Sequence, residues 1–180
     1  MRRLLLALAP LFLLAACATS PTPSTPVQTS GLHLVDTDGH LQDLDAALAR
    51  DEAVAFVVWQ TWCHSCASEA PAIAEAARRH GDRLRFVGVI PGDPADVDLA
   101  EVVSVRSAWG YAFPQVRDPD LSLCARLGVK GTPTIVVLGR GGAVRYDGHR
   151  PPADWAALAG APVAPVTSCE GGACPLPERP

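Results

Sequence analysis

Between residues 31 and 160 the apolar positions fall into short blocks separated by polar, glycine-rich or proline-rich breaks. Ala53 to Trp59 is unbroken and apolar, Leu84 to Ile90 nearly so, and Thr134 to Leu138 is apolar and β-branched. Runs this short and continuous predict strands covered on both faces. Residues 64–80 have helical composition and stop at Gly81. A second helix is predicted over 95–110, with Val97, Val102, Val105 and Trp109 as its apolar positions, and a short one over Leu121 to Leu127, ended by Gly128. Ahead of the first strand, Leu32, Leu34 and the turn Asp36-Thr37-Asp38-Gly39 suggest a hairpin, and 41–50 a short helix. Gly141-Gly142 turns the third core strand into a fourth, Ala143 to Tyr146, and a last helix containing Trp155 is predicted over 152–159. Strand–helix–strand–helix, then a hairpin and a helix, describes an α/β domain: a central mixed sheet with helices on both faces.

The two ends follow other rules. Met1-Arg2-Arg3 precedes a nearly unbroken apolar run from Leu4 to Ala16, and Cys17 follows. A charged start, a short apolar core and small residues make a secretory signal, too short to span a bilayer as a stable helix. Leu14-Ala15-Ala16-Cys17 resembles a bacterial lipobox, which implies cleavage of residues 1–16 and a lipid on Cys17; Ala16-Cys17-Ala18 also fits an ordinary A-x-A cleavage site. Residues 17–30 read as an uncharged Pro/Ser/Thr-rich tether, 31–160 as the domain, and 161–180 as an appended Pro/Gly-rich tail. In Gram-negative lipoproteins Asp after the lipidated Cys favours the inner membrane; here Ala18 stands there, which leans towards the outer membrane. Either way the domain is expected in the bacterial cell envelope, facing the periplasm, an oxidising space in which dithiols turn over by exchange.

Composition narrows the partners. The 180 residues carry a net charge of −4, which becomes −6 when the two Arg of residues 1–16 are removed. No basic run beyond Arg2-Arg3 and Arg78-Arg79 is present, which argues against nucleic acid. An acidic domain is held at a membrane by its acyl chain rather than by basic contacts to headgroups. With 48% hydrophobic and 19% charged residues, the chain is composed to fold.

Six cysteines require an account. Cys63-His64-Ser65-Cys66 follows the first core strand and opens the first long helix. At that place the first thiol meets the positive end of the helix dipole, which favours the thiolate, while the second lies one turn inside and attacks the mixed disulfide. Zinc would need a second ligand pair, and Cys169/Cys174 (CxxxxC on a tail) match a zinc ribbon poorly. No metal or other cofactor is called for.

Val58-Trp59-Gln60-Thr61-Trp62-Cys63-His64-Ser65-Cys66 resembles the active-site stretch of thioredoxins, with Pro71 where that family kinks its helix. Gly128-Val129-Lys130-Gly131-Thr132-Pro133-Thr134 resembles the family's cis-proline segment. The signature WCxxCxxExP, present as Trp62, Cys63, Cys66, Glu69 and Pro71, resembles the TlpA/ResA type of membrane-anchored thiol–disulfide oxidoreductase, as do the segment 113–118 and the leading hairpin. The resemblance covers about 31–160. It implies a thioredoxin-like fold with an N-terminal β-hairpin extension and an enzyme exchanging the Cys63–Cys66 pair with cysteines of extracytoplasmic proteins. Its other partner would be a membrane redox donor or acceptor, and it would act as a monomer. Cys63 is then the nucleophile and Cys66 the resolving thiol. Thioredoxins carry a buried Asp six residues before the first Cys; Val57 stands there, so Glu69, one helical turn past Cys66, is the acid left to take the Cys66 proton. Trp62, Thr132 and Pro133 are expected to form the surface that receives a partner strand, and His64 and Ser65 to tune the potential.

Cys124, spaced by three from Leu121 and Leu127, is expected in the core. Cys169 and Cys174, flanking Gly171-Gly172, are read as a static local disulfide or as a second dithiol exchanging with Cys63/Cys66. Two other functions share the fold. A peroxiredoxin-type peroxidase places Thr three residues before its cysteine, whereas Thr61 is two before Cys63. A copper-delivery module carries CxxxC and a distant His; here the motif is CxxC, although His149 is available.

Overall fold

Residues 25–164 are described by the computed structural model of the chain. The apolar runs form its centre: β3 (Ala53–Val58), β4 (Leu84–Pro91) and β6 (Thr134–Leu138) are almost wholly buried. With β5 (Gln115–Asp118) and β7 (Val144–Gly148) they make a five-stranded sheet in the order β5-β4-β3-β6-β7. β3, β4 and β5 are parallel; β6 and β7 are antiparallel to their neighbours. A parallel pair needs a crossover. α2 (His64–His80) connects β3 to β4, and α3 (Leu99–Ala108) lies between β4 and β5.

The strand pleat divides the core in two. Ala53, Ala55, Val57 and Trp59 face one side, where Ala70, Ile73 and Ala76 of α2, Val102 of α3 and Trp155 cover them. Val54, Phe56 and Val58 face the other, under α1 (Leu44–Ala49) and α4 (Ser122–Leu127). This double cover is why the strands are apolar at every position rather than alternating.

The N-terminal hairpin, β1 (His33–Val35) and β2 (Leu41–Asp43), pairs apart from the main sheet. Its tip reaches the β5 edge: Asp36 bridges to Val116, and the Thr37 N–H donates to Gln115 O at 2.7 Å. That contact covers an otherwise open strand edge.

The fourth strand, expected over Ala143 to Tyr146, runs Val144–Gly148, β5 forms where no strand was expected, and three helix boundaries move. Residues 41–43 are strand, and the helix begins only at Leu44, because the Asp43 carboxylate accepts from the Ala46 N–H as an N-cap. The helix expected from 95 begins at Leu99; Asp98 caps it through the Ala100 N–H, and the preceding turn contains Pro94. The helix expected over 152–159 is only a 3-10 turn, Ala156–Leu158. Trp155 is buried there all the same, ring against Phe86 at 5.1 Å, so one aromatic anchor rather than a helical face fixes that segment.

Candidate active site

β3 ends at Val58, and the chain turns through Trp59–Trp62 into α2. Cys63 is the N-cap of α2: its Sγ accepts from the Cys66 N–H at 3.2 Å. Cys63 and Cys66 are joined in a disulfide, 6% and 1% exposed. Once the pair is reduced, the same N–H and the helix terminus stabilise a Cys63 thiolate, whereas Cys66 is enclosed by the core. The asymmetry in chemistry thus follows from one turn of helix.

The residues before the cysteines are tied down. Trp59 is fully buried, and its indole N–H donates to Gln115 Oε1 at 2.9 Å; the Gln115 amide donates in turn to Phe113 O. Gly88 lies opposite Gln115 in register, and a Cβ there would overlap the Gln115 side chain, so glycine makes room for this strut. Buried Gln60 donates to Pro91 O, fastening the start of the active-site turn to the end of β4. Trp62, by contrast, is 72% exposed. His64 and Ser65 are exposed at the start of α2. α2 continues through Pro71, whose position is on the solvent side.

Glu69 is half-buried one turn beyond Cys66. Its charge acts on Tyr111: burial first, and then the Glu69 carboxylate, push the Tyr111 phenol well above its ordinary range. The Tyr111 hydroxyl is buried without a hydrogen-bond partner among the described residues. Tyr111 stacks among Trp59, Trp109 and Phe113, with centroids 4.8 to 5.8 Å apart. Glu69 therefore borders the aromatic cluster that also holds Cys66. At position 57 the valine is in the core, as its composition demands.

The second motif arrives by strand pairing. Val58 pairs with Thr134, which sets the residues before β6 level with Trp59, beside the dithiol turn. The Thr132–Pro133 peptide is cis. Pro133 is buried and Thr132 half-exposed. Thr134 Oγ1 donates to Gly131 O at 2.7 Å, and the His149 Nδ1–H donates to Pro133 O at 2.8 Å. The distant His149 is thus a brace on the cis-proline loop. Among the described residues no group of three His, Cys, Asp or Glu side chains is placed to hold a metal ion. Cys124 is buried in the α4 layer, and its thiol is pushed up to about 12 by burial and by the adjoining Asp118 carboxylate. Cys17, Cys169 and Cys174 lie outside the described residues.

Gln60 and Gln115 are site residues to which sequence reasoning gave no role, and His149, named there only as a copper ligand, is a brace on the cis-proline loop. A buried amide beside an apolar strand is the one signal that points to the first two, and nothing local marks His149 as a brace.

The family profile described as AhpC/TSA matches residues 24–147, more than half of the chain. The chain belongs to the AhpC/TSA family. A "Thioredoxin-like protein" of Haemophilus influenzae is 30% identical to this AhpC/TSA chain over 119 residues, 66% of this chain and 67% of that one. Two solved structures share the fold. A secreted Mycobacterium tuberculosis disulfide oxidoreductase homologous to E. coli DsbE aligns with TM-score 0.55 at 24% identity, over 67% of this chain and 84% of that one. StoA from Bacillus subtilis aligns with TM-score 0.58 at 19% identity, over 71% and 92%. With a paired CxxC at the start of α2 in a thioredoxin-like fold, this AhpC/TSA member is a thiol–disulfide oxidoreductase.

Proposed function

We propose that the enzyme is a TlpA/ResA-like, lipid-anchored oxidoreductase that exchanges Cys63 and Cys66 with cysteines of extracytoplasmic proteins and is recharged by a membrane redox partner. The observation that carries this reading is the Cys63 N-cap. The thiol placed for attack is the one whose sulfur already accepts a backbone N–H, and its resolving partner is shielded one turn behind. In the reducing direction, the Cys63 thiolate attacks one sulfur of the partner disulfide. A mixed disulfide forms and the first partner thiolate leaves. Cys66 passes its proton to Glu69 and attacks the Cys63 sulfur; the second partner thiolate leaves, and the Cys63–Cys66 bond closes. Two electrons move to the partner, and the oxidising direction is the reverse. Trp62 and the Thr132–Pro133 edge hold the partner strand. His64 beside the nucleophile favours its thiolate and hence the reduced dithiol, which makes the pair the stronger oxidant; Ser65 sits where reducing members often carry Pro.

Anchorage through Cys17, with residues 1–16 removed and the outer membrane favoured, is part of the same proposal. The geometry at the far pole supports it. Val27 donates its N–H to Gly142 O in the turn between β6 and β7. Residues 160–164 lie against Asp51, Glu52 and Asp82, ahead of β3 and β4. Both ends of the described chain therefore leave from the pole opposite the dithiol. A tether at that pole turns Cys63 away from the membrane, towards soluble partners. No helix of the described residues is long and apolar enough to cross a membrane itself.

The test is trapping in envelope extract. Cys66→Ser should accumulate mixed disulfides that dithiothreitol releases, and Cys63→Ser should accumulate none; the reverse pattern would overturn the assignment of roles. Catalysed insulin reduction by the wild-type chain measures the exchange itself. The family match favours one second reading, a thiol peroxidase. Position 60, three before Cys63, is occupied by Gln60 bonded to Pro91 O, and Thr61 follows it. Peroxide consumption faster than insulin reduction would establish that reading instead.

A further inference from the structure

Strand order decides which loops surround the dithiol. β4 ends at Pro91 on one side of the Cys63 turn, and the following loop carries Asp93, Asp96 and Asp98. On the other side β6 begins after Lys130, and β7 ends at Gly148, just before His149 and Arg150. The registers Val58↔Val89, Val58↔Thr134 and Ile135↔Gly148 put all of these at the same pole as Cys63. Asp93, Asp96, Asp98, Lys130 and Arg150 are exposed, and none of them has an ion-pair partner among the described residues. His149, pinned to Pro133 O, fastens the cationic lip to the cis-proline edge. Three exposed carboxylates thus stand on one side of the dithiol and two exposed cations on the other, with Trp62 exposed between them. Asp93 and Asp98 also accept the Ala95 and Ala100 N–H groups, and the half-buried Arg117 donates to Val97 O within the acidic loop, so among the described residues Asp96 is the carboxylate free of a local bond.

We propose that this rim is polarised in order to orient its substrate. The segment it takes is an extended peptide whose reactive cysteine lies between a basic stretch and an acidic one. The basic stretch sits over the Asp93–Asp98 loop, and the acidic stretch over Lys130 and Arg150. The inference rests on the exchange reading above and adds the substrate class to it. From β4 to β7 is three strand spacings, about 14 Å, which about four or five extended residues cover. Charges about two positions on either side of the cysteine therefore reach the two lips. The Debye length at about 0.1 M salt is near 10 Å, so the lips act on a docked peptide and are screened as salt rises. Parallel and antiparallel pairing with the Thr132 edge differ in hydrogen-bond pattern and stability, and opposite lips favour only one of them for a given peptide, so the order of its charges matters and not just their sum.

Two peptides of identical composition test this: Lys-Lys-Ser-Cys-Ser-Asp-Asp and the same with its charged ends exchanged. Each carries its cysteine as a mixed disulfide with 5-thio-2-nitrobenzoate. The reduced full-length protein supplies two electrons and two protons, becomes the Cys63–Cys66 disulfide, and releases the peptide thiol and the coloured thiol. Rates are normalised to those with dithiothreitol, which removes intrinsic differences between the probes. At about 20 mM salt one order should react about fivefold faster than the other, the effect of two to four exposed charge pairs. The ratio should fall below about twofold at about 500 mM salt, where screening shortens to a few Å. It should fall likewise in Lys130→Gln/Arg150→Gln and in Asp93→Asn/Asp96→Asn. Equal rates at low salt, or a ratio that survives salt and both double variants, overturn the polarised rim. A Ser-flanked neutral probe separates the two claims: if it reacts no faster with the wild type than with Cys63→Ser, the exchange reading fails instead.

Discussion

Cys63 and Cys124 sit in one domain and in opposite surroundings. An N–H and a helix terminus are aimed at the Cys63 sulfur. Burial and a neighbouring carboxylate push the Cys124 thiol up to about 12, so at neutral pH it stays protonated. The native reduced protein should therefore be alkylated by iodoacetamide at Cys63 and not at Cys124, with Cys124 reacting only after denaturation; mass spectrometry of the digested protein reads this directly. Glu69 belongs to the same scale. It borders the Tyr111 cluster and lies one turn from Cys66. Glu69→Gln should slow resolution of the mixed disulfide by about a hundredfold, the lower end of general-base effects. It should shift Tm by no more than a few degrees, because the side chain contributes little to the core. Exchange rates that match the wild type from about pH 6 to 9, spanning the ordinary thiol range, would leave Glu69 as a bystander.

Among the elements, the segment 160–164 shows how a piece without secondary structure is held. Glu52, 1% exposed, bonds Arg85 and Arg50 and receives the Ala164 N–H; Arg85 donates onward to Ala164 O. Burial works to raise the Glu52 carboxyl, but these hydrogen bonds, Arg85 first, outweigh it and hold the group below its ordinary 4.5. A carboxyl with a depressed folded value contributes stability that is present above its unfolded value and is lost as pH falls through the folded one. Stability from Glu52 is thus full at neutral pH, begins to fall as pH drops past the ordinary 4.5 and is gone only below the depressed folded value. Glu52→Gln should destabilise the domain by about 3 kcal/mol at pH 7, because buried Arg85 loses its counter-charge. The difference from wild type should narrow as denaturation is measured at lower pH. A constant difference down to pH values below about 3 would show that charge is not what the pair contributes.

For the whole molecule, the decisive feature is that both described ends leave from the far pole. Truncation after Ala164 removes Cys169 and Cys174 and keeps the strap on Glu52. From Ala164 at most about 18 Å of chain leads to Cys169 and about 36 Å to Cys174, against about 20 Å of β3 between that pole and the dithiol turn. Because the bonds that hold 160–164 all lie at the far pole, we expect this truncation to leave Tm within a few degrees and insulin-reduction turnover within about twofold of the full chain, ordinary scatter for a change outside the core. Truncation after Ala159 removes the bonds to Glu52 and Arg85 as well and should lower Tm by about 5 °C or more. A loss of turnover already at the first truncation would support the second dithiol as an electron relay.

The sequence by itself determined the α/β order, the buried strands β3, β4 and β6 and the dithiol chemistry, but not the short edge strand β5. A continuous apolar run has few alternatives to a doubly covered strand, and a CxxC at a strand–helix turn brings its own helix dipole. Local caps shifted the helix starts at Leu44 and Leu99, and a single aromatic anchor replaced the expected helix around Trp155; these are contests between nearby side chains that periodicity does not register. Only the tertiary structure decided the rest. Strand order set Thr132–Pro133 beside Cys63 and His149 beneath Pro133. It put Gln115 under Trp59, opposed the aspartates to Lys130 and Arg150, and sent both chain ends to the far pole. Each depends on pairing between residues tens of positions apart, and such neighbours leave no period or composition in the sequence for a local reading to find.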